Sequence, residues 1–262
     1  MSKHLIKTFL LLSISIRSLG TEQVKDKIII DNDTFTLFSN PLDSYLNINL
    51  FNEHGENGLN SACLRNYSAY WTIRDDSLLL TKIQINCGIN NEEPYDIVNE
   101  FGTKYPLAKW FSGQFYCAKG IIIHSFQNNS EILYETEILF DCKNGIITNR
   151  QKFKNRKVHQ SSLTIEQFKL EEFIYENIDW DNFPSITESE ILFVAIKSGS
   201  TIKPDSIWLV RASDNNRIND KVLEAFGKIN DWDIYERRNE IYNMTWIAII
   251  EINQKTKEKY AR

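Results

Sequence analysis

The most ordered pattern of apolar and polar positions lies in residues 191–253. Two apolar runs, 191–196 and 207–212, are separated by Ser198-Gly199-Ser200 and Pro204. Short apolar runs bounded by turn residues read as strands. Val222, Ala225, Phe226 and Ile229 then recur at i, i+3, i+4 and i+7, the stripe of an amphipathic helix. The last run, 241–252, puts Tyr242, Met244, Trp246, Ala248, Ile250 and Ile252 on one side and Ile247 and Ile249 on the other. The order predicted is strand, strand, helix, strand.

The first half alternates in shorter steps. Candidate strands cover 27–30, 34–38, 45–51, 66–73, 78–85, 113–117, 121–126, 131–140 and 146–153. Breakers between them include Asn40-Pro41, residues 54–60, Asn128-Asn129 and Asn144-Gly145. Only 94–101 suggests a helix, with Tyr95, Val98 and Phe101 on one face. Many short strands with frequent turns predict a β-rich domain, built as a sandwich, a barrel or a curled sheet. Lys152, Lys154, Arg156 and Lys157 precede His159-Gln160-Ser161-Ser162, a charge run that reads as a solvated connector. The expected domains are therefore 21–158 and 159–262. Thr164 and Gln167 form a capping-box pair, predicting a helix from Thr164 with Ile165, Phe168, Phe173 and Ile174 on one face. Pro184 ends that region, because the residue before a proline is pushed out of the helical region.

Residues 164–253 resemble the TonB C-terminal domain. The features that carry the likeness are Phe183-Pro184 after a helix, Ser198-Gly199 closing a strand, and Val210-Arg211-Ala212-Ser213 closing the next. They continue with the helix that holds Asn219, Val222, Leu223 and Ala225, with Trp232, and with the long final strand. The resemblance implies an α+β protein whose C-terminal domain is a three-stranded antiparallel sheet with helices on one face. It also implies that the last strand takes an extended peptide, which puts Tyr242, Met244, Trp246 and Ala248 at a peptide-binding edge. In the first half, Cys63-Leu64-Arg65, Tyr67, Ala69, Trp71 and Ile73, followed by Ala108 and Trp110-Phe111-Ser112-Gly113, resemble a pattern in small uncharacterised bacterial secreted proteins.

Composition fits a folded chain: 42% hydrophobic and 25% charged residues exclude a disordered or collagen-like protein. Lys3, His4 and Lys7, an apolar run at 9–16, and Ser18-Leu19-Gly20 read as a secretory signal peptide over residues 1–20. The run is shorter than the roughly 20 residues a spanning helix needs. Removing the signal changes the formal net charge from −5 to about −8. Such an acidic chain is not suited to coating nucleic acid. The protein is expected in the periplasm or outside the cell; the alternative is anchoring to the inner membrane by residues 1–20, the one case in which it contacts a membrane.

Four cysteines, Cys63, Cys87, Cys117 and Cys142, all lie in the first half. In an exported chain they read as disulfides with three possible connectivities, of which the pattern favours local pairing, since folding each hairpin brings Cys87 near Cys63 and Cys142 near Cys117. Four buried free thiols are the plainer alternative.

Catalytic signatures are sparse. His54 stands in a polar turn without a second histidine at helical spacing, and His124 sits on an apolar strand. Asp31 with Asp33, and Asp75 with Asp76, occupy places where turns favour aspartate. No CxxC, Walker loop or GxSxG occurs. Neither catalysis, a metal nor a cofactor is expected. The expected function is non-enzymatic binding of a protein or peptide, such as an outer-membrane or periplasmic protein, by strand addition to the last strand. The alternatives are a membrane-anchored TonB-type energy transducer for outer-membrane transport, and an antagonist or immunity-type protein that binds through its N-terminal domain.

Overall fold

The computed structural model describes residues 23–45, 62–85, 87, 92–125, 132–166 and 168–261. Strands predominate, with a few short helices. The chain divides into two compact units, residues 1–134 with 138–152, and residues 135–137 with 153–262.

The first unit carries β1 (Lys27–Ile30), β2 (Asp33–Leu37), β3 (Tyr67–Arg74), β4 (Ser77–Ile85), β5 (Glu93–Pro94), α1 (Ile97–Phe101), β6 (Gly113–Ser125), β7 (Ile132–Lys143) and β8 (Ile146–Lys154). Their order in the sheet is β3-β1-β2-β6-β7-β8-β4-β5, and β3 also pairs with β4. That extra pairing closes seven strands into a barrel, the arrangement that removes free edges. Three hairpins turn on pairs of residues with positive φ: Asp31-Asn32, Asp75-Asp76 and Asn144-Gly145. Asp, Asn and Gly suit these turns because they tolerate the left-handed region that a two-residue hairpin with the native twist requires. The paired aspartates are thus turn residues, with Asp31 accepting from Arg150 at 2.9 Å.

The interior of the barrel is apolar, with Ile28, Leu37, Trp71, Leu78, Leu80, Phe115 and Phe140 fully buried. Alternation alone predicts Leu79, Ile83 and Ile85 on one face. Instead Leu78 and Leu80 point inward, since the β3–β4 register shifts between Tyr70 and Trp71 and leaves Thr81 as an extra residue. Cys63 and Cys87 form a disulfide with Cα atoms 5.9 Å apart. Cys117 and Cys142 are not joined by a disulfide, and both thiols are buried. The hairpin stacks Phe115 on Phe140 and bonds Gln114 to Asp141. That pairing brings Cys117 abreast of the region of Ile138, about four residues or on the order of 13 Å short of Cys142. The strands expected at 113–117 and 121–126 are the single strand β6. Most of the strand expected at 45–51 lies outside the described residues, and Tyr45 closes a short 3-10 turn.

The second unit carries β9 (Arg156–His159), α2 (Lys169–Asn177), β10 (Glu190–Lys197), β11 (Ser206–Arg211), α3 (Asn216–Phe226), β12 (Ile234–Arg237), β13 (Glu240–Tyr242), β14 (Thr245–Ile252) and α4 (Gln254–Tyr260). β11, β10 and β14 make an antiparallel sheet in that order, and β13, β12 and β9 make another. Leu192, Val194, Ile196, Ile250 and Ile252 share one core with Ile174 of α2 and with Ile218, Val222, Ala225 and Phe226 of α3. Burying each of the larger side chains contributes about 2 kcal/mol. Asn215 caps α3, its side chain accepting from the Arg217 N–H at 3.0 Å.

Three expectations change here. The charge run at 152–162 includes the division between the units and keeps Lys152, Lys154 and Arg156 exposed, but it is not an irregular connector, since its middle is β9, paired with β12. The helix expected from Thr164 begins at Lys169: Thr164 ends a 3-10 turn capped by Ser161, its hydroxyl donates to the Asp233 carboxylate at 2.8 Å, and Gln167 lies outside the described residues. The run 241–252 is broken at Asn243-Met244: β13 pairs back on β12 through a turn with Arg238 and Asn239 at positive φ, and β14 starts only at Thr245. Arg-Asn lacks the glycine that marks such a turn in sequence.

Candidate functional site

Among the described residues, β14 pairs with β10 alone, so its other side is a sheet edge. Which backbone groups face that edge follows from the phase of the ladder. The Ser198 N–H donates to the Met244 carbonyl at 2.7 Å. Ser198 and Met244 extend the register that opposes Ala195 to Ile247 and Glu190 to Ile252. Hydrogen-bonded pairs alternate with non-bonded ones in an antiparallel ladder. Trp246, Ala248 and Ile250 therefore bond inward to β10, while the N–H and C=O groups of Thr245, Ile247, Ile249 and Glu251 point outward. The Glu251 carbonyl confirms this phase, since it accepts from the Tyr175 hydroxyl of α2 at 2.8 Å.

The four residues expected at the edge fall differently. Tyr242 ends β13 opposite Tyr235, and its hydroxyl accepts from Arg237 at 3.3 Å. Met244 is buried between strands, its N–H donating to the Ser198 hydroxyl at 2.8 Å. Trp246 and Ala248 do lie on β14, with side chains packed against the core and backbones committed to β10. The open groups belong to their odd-numbered neighbours. Ile247 and Ile249 point their side chains to the face away from the helices, beside Phe193 and Ala195. Trp208 and Val210 of β11 are exposed on the same sheet.

A pocket of about 420 Å³ adjoins the far end of β14. Phe168, Glu171, Glu172 and Tyr175 line it from the α2 side, Glu251 from β14, and Lys259 and Tyr260 from α4. The Tyr175 hydroxyl lies 2.9 Å from Glu171 Oε1, so its one proton serves both Glu171 and the Glu251 carbonyl. Burial, reinforced by Glu171, pushes this phenol above its ordinary pKa. The Glu251 carboxylate accepts from Ser189 at 2.8 Å and Asn253 at 3.0 Å, which hold it below the ordinary glutamate value. The rings of Tyr175 and Tyr260 stand 5.2 Å apart, and the Lys259 ammonium sits 4.6 Å from the Tyr260 centroid. Sequence reasoning missed this pocket because Tyr175 and Glu251 are 76 residues apart.

Other polar clusters hold the fold together. Asp233 is buried and accepts from Lys157 (3.0 Å), the Ser161 N–H (2.7 Å), Thr164 (2.8 Å) and Tyr235 (2.7 Å). Asp231 accepts from the Ser162 hydroxyl at 2.9 Å and bonds His159 Nε2 at 2.6 Å. The hydrogen bond with His159 holds Asp231 below its ordinary value. Serine and imidazole thus meet the same carboxylate rather than each other, which is not the relay a nucleophilic serine needs. Asn219 and Ser213 exchange two hydrogen bonds, 2.8 and 2.9 Å, that lock the loop from β11 into α3. His54 lies outside the described residues, and His124 falls on β6. Among the described residues no three metal-ligating side chains converge.

The class that fold and site define is coarse: a mostly-β, two-unit protein with one disulfide and an open edge strand. Neither a family model, a curated protein nor a solved structure matches the chain.

Proposed function

We propose that the second unit binds an extended segment of a protein or peptide partner by adding it as a strand to the open side of β14, without catalysis. The observation that carries this reading is the ladder phase, which leaves the backbone groups of Thr245, Ile247 and Ile249 directed outward. An edge of this kind offers main-chain hydrogen bonds for affinity and alternating side chains for selectivity. The resemblance to the TonB C-terminal domain points the same way, since it assigns peptide capture to the last strand. The Cys63–Cys87 disulfide fits an extracytoplasmic location, and no helix among the described residues is long and apolar enough to cross a membrane. The disulfide together with the signal-like residues 1–20 supports a periplasmic or secreted setting for the capture.

The test uses peptides selected from a random display library on the full-length protein. Bound peptide should protect the amide protons of Thr245, Ile247 and Ile249 from exchange. Ile247→Pro removes an outward donor and leaves the β10 ladder its bonds, so it should weaken capture about tenfold. If a folded Ile247→Pro variant binds as tightly as the parent, or the three amides stay unprotected, strand addition is wrong.

A further inference from the structure

The sheet β11-β10-β14 covers the helical core with one face only. Leu192, Val194, Ile196, Ile250 and Ile252 point to the helices, so the alternate side chains point the other way. Cross-strand pairing sets that outer face in rows. Trp208, Ala195 and Ile247 form one row, and Arg211, Phe193 and Ile249 the next. Ile191 beside Glu251 forms the third, and Val210 bulges out where the β10–β11 register shifts. Ala195 is buried between its two large neighbours, but Trp208 is 41% exposed, Val210 56%, Ile191 38% and Ile249 39%. Contiguous exposed apolar surface of this kind marks an interaction site.

The size and charges of the face fit a second copy of the same chain. Three strands about 4.8 Å apart, over about seven residues of 3.3 Å each, give a face roughly 14 by 23 Å. Closing two such faces on each other removes on the order of 1,000 Å² of accessible surface, the lower bound for a specific interface. Near the end of the sheet where Ile191 lies, the face carries a cation on one side and an anion on the other. Arg211 lies on β11, 5.7 Å from the centroid of the Phe193 ring, and Glu251 lies on β14; both are exposed. A two-fold axis parallel to β10 lays β11 of each copy over β14 of the other. Arg211 then faces Glu251 of the second copy at both rims, and Trp208 lies over Ile247. Lys197 meets its own counterpart, but each is already paired with Asp205 at 3.4 Å. The other two-fold, running across the strands, turns Glu251 toward Thr245 and brings neither charge to an opposite one.

We infer that the outer face of this sheet is a homodimer interface, in which two copies stack face to face about a two-fold axis parallel to β10 with an Arg211–Glu251 ion pair at each rim. The contact is isologous, each copy using the same patch. Aligned sheets pack in this way about 10 Å apart. The open edge of β14 stays free in such a dimer, so the inference stands apart from strand addition.

Sedimentation velocity of the full-length protein over a concentration series should show a reversible monomer–dimer equilibrium in the micromolar range, the scale of a small interface. Trp208→Glu, at an exposed position, should leave the unfolding transition in place and abolish the dimer. Arg211→Glu sets glutamate against Glu251 of the other copy, and Glu251→Arg sets arginine against Arg211; each should raise the dissociation constant about tenfold. The double variant Arg211→Glu with Glu251→Arg should recover most of that loss, an outcome that damage to the fold would not produce. Thr245→Pro removes an outward donor of the β14 edge and should leave the dimer unchanged. A protein that stays monomeric throughout the series overturns the inference and leaves peptide capture standing. A dimer indifferent to Trp208→Glu and to the charge variants also overturns it, by placing the contact elsewhere. So does a dimer that Thr245→Pro dissociates, which joins the copies edge to edge.

Discussion

Asp26 has no exposed surface, yet its carboxylate takes three kinds of donor: the Arg65 guanidinium at 3.1 Å, the Ala69 N–H at 3.1 Å and the Trp71 indole at 3.1 Å. Burial pushes this carboxyl above its ordinary value, against the pull of Arg65 and of the two other donors. Its role is to pin the segment before β1 against β3. Asp26→Ala leaves the Trp71 indole and the Ala69 N–H without an acceptor in a buried site, while Arg65 keeps the Val24 carbonyl and the Tyr67 hydroxyl, so it should lower the stability of the first unit by about 2–4 kcal/mol, read from denaturant unfolding. A loss under about 1 kcal/mol would show that water replaces the carboxylate. Asp26 also illustrates why single residues were hard to place from sequence. Its partners lie about forty positions downstream, and nothing near Asp26 in the chain distinguishes it from the turn aspartates at 31 and 75.

Elements with a local cause were legible, and those with a distant cause were not. The apolar runs of β10 and β11 and the stripe of α3 fall where periodicity puts them, because each buries a face against a neighbour close in sequence. The Asn144-Gly145 turn between β7 and β8 was likewise visible as a breaker. Its glycine is required twice over: φ is +79°, and an added Cβ would meet the Ala108 carbonyl carbon at 2.8 Å. Gly145→Ala should therefore cost about 2 kcal/mol or more, from the left-handed backbone and the displaced Ala108, and should appear as a lower melting temperature. The start of α2 was misread for the opposite reason. Ser161, whose hydroxyl donates to the Asp231 carbonyl seventy residues away, caps a 3-10 turn ahead of it instead. Of the residues expected at the edge, Trp246 and Ala248 lie on β14, whereas Tyr242 lies on β13 and Met244 is buried. The final strand was found, but alternation shows only which side chains share a face, whereas the edge depends on where the ladder with β10 begins.

At the scale of the molecule, the cysteines separate what is covalently fixed from what is only packed. Cys63 and Cys87 are bridged over a sequence separation of 24, which contributes about 3 kcal/mol by restricting the unfolded chain of the first unit. Cys117 and Cys142 rest in the apolar interior of the barrel as small hydrophobes, where burial pushes the Cys142 thiol up and makes it a poor nucleophile. Thiol titration should find none reactive in the native protein and two after denaturation without reductant; a count of four or zero would contradict this pairing. The second unit has no cysteine, so reductant should lower the unfolding transition of the first unit and leave the other in place. The bare side of β14 also bears on solubility. Natural edge strands usually carry a lysine, a proline or a bulge that discourages copies of the same protein from pairing. Residues 246–250, Trp-Ile-Ala-Ile-Ile, have no such gatekeeper before Glu251. A concentrated protein whose edge is unfilled thus offers its own copies a template for fibril-like stacking, and a ligand that fills the edge protects against that as well.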